Sequence, residues 1–191
     1  SASFGYPVAI QVDPIEKKPL YHFLPGTKIF SIGTFGCNLG CIFCQNYTLS
    51  RGGYSSGQTF RRFEPSEIVT LAEQHGCSSI AFTYNEPTVF AEYAMEVAAL
   101  AHEKGLKTVF VSNGYTSLEA AKEIYSLIDA ANIDVKGFSE EFYRTLCGAT
   151  LRPVLSLIEL IHEMGVHIEL TTLVIPGKND SEEMLDAYLD W

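Results

Sequence analysis

The fold of this chain is decided by the stretch Gly33-Thr34-Phe35-Gly36-Cys37-Asn38-Leu39-Gly40-Cys41-Ile42-Phe43-Cys44-Gln45-Asn46-Tyr47. It places three cysteines, spaced CxxxCxxC, on a glycine-rich loop directly after an apolar run. Independent placement of 5 cysteines among 191 residues predicts only about 0.003 such triplets. The spacing therefore indicates metal or redox chemistry, and the rest of the chain is interpreted as the scaffold that holds this loop.

Three cysteines allow several kinds of site. Three thiolates can hold three corners of a cubane iron–sulfur cluster and leave the fourth iron open to a substrate or cofactor. A zinc site needs a fourth Cys or His at matching spacing, and none follows. The alternatives that remain are a zinc-binding module, an iron–sulfur electron carrier, which normally has four protein ligands, and redox or structural thiols.

Composition narrows the class of protein. With 191 residues, 47% of them hydrophobic, the chain can bury one sizeable core. A net charge of -10 argues against a nucleic-acid partner. No apolar run approaches the ~20 residues of a membrane span, and thiolate ligands suit a reducing compartment, so a cytoplasmic location is expected. Cys77 and Cys147, outside the triplet, are expected to be inert, buried thiols.

Residues 1–28 are predicted to form an N-terminal lead-in segment. Four prolines break any long helix in it, Val8–Val12 suits a short strand, and Lys17-Lys18 suggests a solvated turn. After it, apolar runs alternate with amphipathic stretches. The predicted strands begin at Lys28, Ser79, Thr108, Ala131 and His167, and the last of them is expected to run to Ile175.

Helices are predicted between these strands, at 65–76, at 88–104, after a capping box of Thr116 and Glu119, at 139–165 with a restart at Arg152-Pro153, and from Ser181 onward. A glycine- and serine-rich connection covers 47–63, including Ser55-Ser56-Gly57. Strands alternating with helices predict an α/β fold with a parallel sheet that curls toward a barrel. Sites in such folds gather at the carboxyl ends of the strands.

The polar motifs all fall at those predicted strand ends. They are the cysteine loop, Asn85-Glu86, Ser112-Asn113, Asp134 with Lys136, and the loop after the fifth predicted strand. Asp134 and Lys136 lie two residues apart on one face of a strand, so a simple ion pair is their alternative interpretation. Glu86 could likewise only cap the helix that follows it. Because these five motifs all fall at the carboxyl-terminal edge of the predicted sheet, they predict a single active site.

CxxxCxxC with Phe43 before the last cysteine resembles the signature loop of the radical S-adenosylmethionine (radical SAM) enzymes. The segment from Asp13 to Gly26, with Ser31-Ile32-Gly33-Thr34 and Cys44-Gln45-Asn46, resembles the AmmeMemoRadiSam-system branch, which is similar to pyruvate formate-lyase activating enzymes. The resemblance implies a partial (βα)6 radical-SAM barrel, of which about five βα units are present. The barrel core is thus expected at 29–191, truncated at its C-terminal end.

The resemblance also implies roles for individual residues. Cys37, Cys41 and Cys44 would hold a 4Fe-4S cluster, and Phe43 would flank the adenine of SAM. Glu86, assisted by Asn85, would accept a hydrogen bond from the methionine ammonium, while Lys136 would approach the carboxylate. The other implied SAM contacts are Ser112, Asn113, Asp134 and Thr171.

Three positions depart from the usual pattern of the family. Tyr84 replaces a glycine, Val111 replaces an aspartate, and Thr171 stands where relatives place an arginine. The implied reaction is reductive cleavage of SAM to methionine and a 5'-deoxyadenosyl radical that abstracts hydrogen from an unidentified substrate, a protein or a small molecule. No catalytic side chain beyond the cluster is implied. An electron donor such as flavodoxin or ferredoxin is the implied partner.

Overall fold

The computed structural model of the chain describes residues 3–54 and 59–191, so Ser55-Ser56-Gly57 of the predicted connection lies outside the described residues. The described residues form a sheet of six strands in the order β1 to β6. Their bounds are β1 Ala9–Pro14, β2 Lys28–Gly33, β3 Ser79–Phe82, β4 Lys107–Ser112, β5 Ala130–Asp134 and β6 His167–Thr171. From β2 to β6 each strand pairs in parallel with the next, while β1 runs antiparallel to β2.

The helices follow the strands in the predicted alternation. They are α1 Tyr47–Ser50, α2 Pro65–Gln74, α3 Ala91–Glu103, α4 Leu118–Tyr125, α5 Glu140–Phe142, α6 Arg152–Glu163 and α7 Glu182–Asp190. Three short helices of other geometry are Ile15–Lys17 and Pro87–Phe90, which are 3-10, and Tyr143–Cys147, which is a π-helix. The open, mostly parallel sheet confirms the predicted α/β partial barrel. None of the described helices is long and apolar enough to cross a membrane.

The sheet divides the core into two layers because successive strand residues face opposite sides. Phe30, Ile80 and Phe110 belong to the large cluster shared with the outer helices. Ile29, Ala81, Val109 and Ala130 face the inner side, where Ile15 and Leu20 of the lead-in cover them. The lead-in thus fills one end of the curled sheet and leaves a space at the carboxyl ends of the strands.

Several local predictions are corrected by the structure. The cap of α4 is Ser117, whose hydroxyl accepts from Ala120 N at 3.3 Å, one residue later than the predicted Thr116. The last strand ends at Thr171 instead of Ile175. By contrast, the predicted restart at Arg152-Pro153 within the helical region 139–165 is confirmed, because Gly148 at φ 67° ends the π-helix and α6 begins at Arg152.

The prediction of a solvated turn at Lys17-Lys18 is wrong for Lys18. Its side chain is only 3% exposed and its ammonium lies 2.8 Å from a carboxylate oxygen of Asp13, whereas the side chain of Lys17 is 67% exposed. The sequence does not show this difference, because the burial of each lysine depends on whether its side chain points toward the inner face of the sheet.

Candidate active site

A cavity of about 480 Å³ opens at the carboxyl ends of the parallel strands, between the cysteine loop and the lead-in. Every site residue predicted from sequence lies on its wall. These residues are Cys37, Cys41, Cys44, Phe43, Asn85, Glu86, Ser112, Asn113, Asp134, Lys136 and Thr171. The topology explains this, because the ends of parallel strands meet at one edge of the sheet.

Backbone hydrogen bonds hold the cysteine loop against two other parts of the fold. Gly40 N donates to Cys147 O at 2.7 Å and Ile42 N donates to Leu146 O at 3.0 Å, so the loop pairs with the π-helix. On its other side, Arg51 donates through Nη2 to Leu39 O at 2.6 Å. The cysteine loop is therefore fixed both by Arg51, close to it in sequence, and by the π-helix, which lies more than a hundred residues later in the chain.

The three thiols have different surroundings. Cys37 Sγ accepts from Leu39 N at 3.4 Å and from Asn113 Nδ2 at 3.6 Å, while burial raises its pKa. A hydrogen bond from the thiol of Cys147 lowers the pKa of Cys41 to about 7. Cys147 is buried as expected, and its thiol lies beside that of Cys41.

The arrangement of donors bears on which metal they fit. No three His, Cys, Asp or Glu side chains among the described residues converge on one point as a single ion requires. A tetrahedral zinc needs ligands about 2.0–2.3 Å from one centre, whereas a cluster takes each thiolate on a different iron. Three cysteines on one cavity wall can supply one thiolate to each of three irons, which fits the cluster.

Glu86 joins the ends of two neighbouring strands. Its Oε1 accepts from Thr88 N at 3.0 Å, Thr88 Oγ1 at 2.7 Å and Ser112 Oγ at 2.8 Å. Its Oε2 accepts from Asn113 N at 2.8 Å, and that oxygen has further accepting capacity. Burial raises the pKa of the Glu86 carboxyl, and these donors oppose that effect. Glu86 does cap the short helix that follows it, and it also faces the cavity.

Two asparagines connect strand ends to the cysteine loop. Asn85 accepts through Oδ1 from Thr34 N at 2.9 Å and donates through Nδ2 to Gly36 O at 2.9 Å. Asn113 donates through Nδ2 to Asn38 Oδ1 at 2.8 Å. Both amides are thus engaged with the loop, an arrangement suited to positioning it.

Asp134 and Lys136 form the ion pair that their spacing suggested, through Asp134 Oδ2. Burial alone would lower the pKa of Lys136, but the charge and hydrogen bond of Asp134 outweigh it and raise the pKa. The other carboxylate oxygen, Asp134 Oδ1, is buried without a hydrogen-bond partner in the described part of the chain. Because a buried acceptor is costly when unpaired, this oxygen fits a ligand that carries a hydrogen-bond donor.

Sequence reasoning missed the part of the cavity wall that Tyr84 and the lead-in form. Tyr84, at the position where relatives have glycine, adopts φ 74°, which keeps the left-handed conformation that favours glycine. Its hydroxyl donates to Asp13 Oδ2 at 3.0 Å, and Lys18 also lines the cavity. Asn132 connects the lead-in to β6 by donating to Pro19 O at 3.1 Å and to Thr171 Oγ1 at 2.7 Å. The glycine position was the one signal available for Tyr84, and none was available for Lys18.

The curated relatives of the chain include an uncharacterised protein and an activating enzyme. The chain is 39% identical over 182 residues to the uncharacterised protein MJ0808 of Methanocaldococcus jannaschii, covering 95% of the chain and 53% of that protein. It is 21% identical over 113 residues to the benzylsuccinate synthase activating enzyme of Thauera aromatica, covering 59% of the chain and 34% of that enzyme. The chain thus spans about half the length of MJ0808 and a third of the activating enzyme.

The fold is shared with a solved structure, Streptococcus suis SuiB bound to S-adenosylmethionine, at a TM-score of 0.62 and 16% identity, covering 82% of this chain and 35% of SuiB. A model of the radical SAM superfamily matches residues 31–189, which include the cysteine loop and all the predicted site residues. Since that match covers most of the sequence, the chain belongs to the radical SAM superfamily, whose members bind a 4Fe-4S cluster and SAM.

Proposed function

We propose that the chain is the SAM-cleaving core of an enzyme of the AmmeMemoRadiSam-system branch, which abstracts hydrogen from its substrate in the manner of glycyl-radical activating enzymes. The observation that carries this proposal is that the three cysteines of the CxxxCxxC loop and all eight expected SAM contacts line one cavity. The proposal also draws on the sequence similarity to the benzylsuccinate synthase activating enzyme.

Cys37, Cys41 and Cys44 are proposed to hold the cluster at the cavity end formed by their loop. A bound cluster supplies the electron that cleaves SAM reductively to methionine and a 5'-deoxyadenosyl radical. Cys147 contributes a hydrogen bond to Cys41, and such bonds to the ligand sulfurs help to set the reduction potential of a cluster.

The remaining residues are proposed to orient SAM. Asp134 Oδ1 and Glu86 Oε2 both have unused accepting capacity, which suits the ammonium and hydroxyl donors of SAM. Lys136 is held by Asp134 as a cation for the carboxylate of SAM. Ser112, Asn113 and Thr171 complete the polar wall, and Phe43, whose ring centroid lies 5.8 Å from that of Phe142, offers an apolar side for the adenine.

The substrate is proposed to reach the cavity through the open side of the sheet, since the strands do not close into a full barrel. The proposed reductant is flavodoxin or ferredoxin, in the cytoplasm, where the thiolates stay reduced. No nucleic acid is proposed as a partner, because the chain carries a net charge of -10.

The test is anaerobic reconstitution of the full-length protein with iron and sulfide, followed by SAM and dithionite. We expect formation of 5'-deoxyadenosine by the wild type, and loss of both iron and product in Cys41→Ala. Cys77→Ala is the matched control, because Cys77 is buried and is not on the cavity wall. Stoichiometric zinc without iron, or a normal cluster that never yields 5'-deoxyadenosine, would contradict the proposal.

A further inference from the structure

One end of the cavity wall is built by Lys17 and Lys18 of the lead-in together with Tyr84. Three donors there share one carboxylate. Lys18 Nζ lies 2.8 Å from Asp13 Oδ2, Tyr84 Oη lies 3.0 Å from the same oxygen, and Lys17 Nζ lies 3.3 Å from Asp13 Oδ1. Two ammonium groups against one carboxylate leave this end with a formal excess of one positive charge.

The ammonium of Lys18 has unused capacity. It carries three N–H donors, and the hydrogen bond that the described structure gives it is the one to Asp13. The ring of Tyr84, whose centroid lies 4.5 Å from Nζ, faces the ammonium from another side. At least one N–H is left without an acceptor, although Lys18 is buried and lines the cavity. A buried charge is costly unless its donors are satisfied, so a bound acceptor would stabilise this arrangement.

We propose that this end of the cavity is the substrate subsite, where Lys18 binds the carboxylate of a small-molecule substrate. A carboxylate suits the subsite better than a phosphate, because a phosphate is usually bound by several donors or an arginine fork, and here one buried ammonium is offered. The inference rests on the proposed function, since Lys18 and the expected SAM contacts line the same cavity.

Asp13 gives the proposal a distinctive consequence. In the absence of substrate it is the counter-ion of Lys18, so it competes with an incoming carboxylate for the same ammonium. Removing the charge of Asp13 should therefore strengthen binding of an anion, whereas removing the charge of Lys18 should abolish it. A purely structural ion pair would show neither effect on ligand binding.

The experiment uses the full-length protein without added iron, sulfide or SAM, and the probes acetate, pyruvate and succinate. Thermal unfolding is followed at constant ionic strength, with chloride and the uncharged acetamide as comparison solutes. A ligand that binds the folded state raises the unfolding temperature in a saturable way. We expect this for at least one carboxylate with the wild type and with Lys17→Met, but not with Lys18→Met.

Asp13→Asn is expected to bind the same carboxylate at least threefold more tightly than the wild type. Tyr84→Phe keeps the ring beside Lys18 and is expected to retain binding. Equal binding by Lys18→Met, weaker binding by Asp13→Asn, or no saturable response of the wild type up to millimolar concentrations would overturn the proposal. The test needs no cluster, so its failure leaves the SAM-cleaving function standing, while intact carboxylate binding without 5'-deoxyadenosine would overturn that function alone.

Discussion

Replacing Glu86 by Gln tests how the strand ends are held around the cavity. The side chain is 3% exposed and its carboxylate accepts four hydrogen bonds, from Thr88 N, Thr88 Oγ1, Ser112 Oγ and Asn113 N. An amide oxygen placed at Oε1 can keep the first three donors. The amide nitrogen would then face Asn113 N, so that two donors meet and the backbone N–H loses its acceptor.

The size of the effect follows from these contacts. A buried donor left without a partner costs about 1–3 kcal/mol, and the three remaining hydrogen bonds become weaker because their acceptor is no longer charged. We therefore expect Glu86→Gln to lower the free energy of unfolding by about 2–4 kcal/mol. With a urea m-value of about 3 kcal/mol/M, typical for the upper end of small proteins, the unfolding midpoint falls by about 1 M.

The assay is urea unfolding followed by tyrosine and tryptophan fluorescence, with Glu96→Gln as the matched control. Glu96 is an exposed residue within α3, and Glu and Gln have nearly equal helix propensities, so its midpoint should not change. The reasoning would be refuted if both variants had the wild-type midpoint. That result would mean that the folded protein holds Glu86 as a neutral acid, the form favoured by the burial that raises its pKa.

Two further predictions concern the frame around the site. Gly33→Ala should destabilise the protein by about 1–3 kcal/mol, because a Cβ at Gly33 would lie 2.4 Å from Thr83 O and would push β2 away from β3. The control in the same urea assay is Gly53→Ala, because a Cβ at Gly53 meets nothing within 4 Å. The carboxylate of Asp129 accepts hydrogen bonds from Lys107 Nζ at 2.7 Å and from Thr108 N at 2.9 Å. Burial alone would raise the pKa of Asp129, but these donors outweigh burial and lower the pKa below the usual 3.8. Its contribution to stability is therefore present above pH 3.8 and is lost as the pH falls through the lower folded-state value, so Asp129→Asn should be less stable than wild type by about 1–3 kcal/mol at pH 7, and this difference should shrink as the pH falls below 3.8. A difference in urea midpoint that stays constant as the pH falls would contradict this assignment, and the exposed Asp186→Asn should leave the midpoint unchanged throughout.

The positions of the site residues along the chain were predictable because local pattern and topology agree. Apolar runs bounded by amphipathic stretches gave the parallel strands, and a parallel sheet brings all its carboxyl ends to one edge. This is why Asp134 and Glu86, which are 48 residues apart, could be placed on one rim without coordinates. The cap of α4 was misplaced by one residue because Thr116 and Ser117 are both good caps, and only the backbone conformation selects between them.

By itself, the sequence determined the class of the protein. The CxxxCxxC spacing, the alternation of strands with helices and the polar residues at strand ends are all local in the chain, and local patterns can be interpreted without knowing what lies opposite. They led to the proposed cysteine ligands, to a parallel sheet that curls toward a barrel and to most of the cavity wall.

Only the tertiary structure decided how those residues are used. It placed Cys147 against Cys41, directed the amides of Asn85 and Asn113 to the cysteine loop, and buried Lys18 beside Tyr84 and Asp13. Each of these contacts joins residues from different elements, or depends on which face of the lead-in turns inward. Burial and pairing across such distances depend on the packing of the whole sheet. No local pattern could therefore reveal the part of the cavity wall that the lead-in and Tyr84 form.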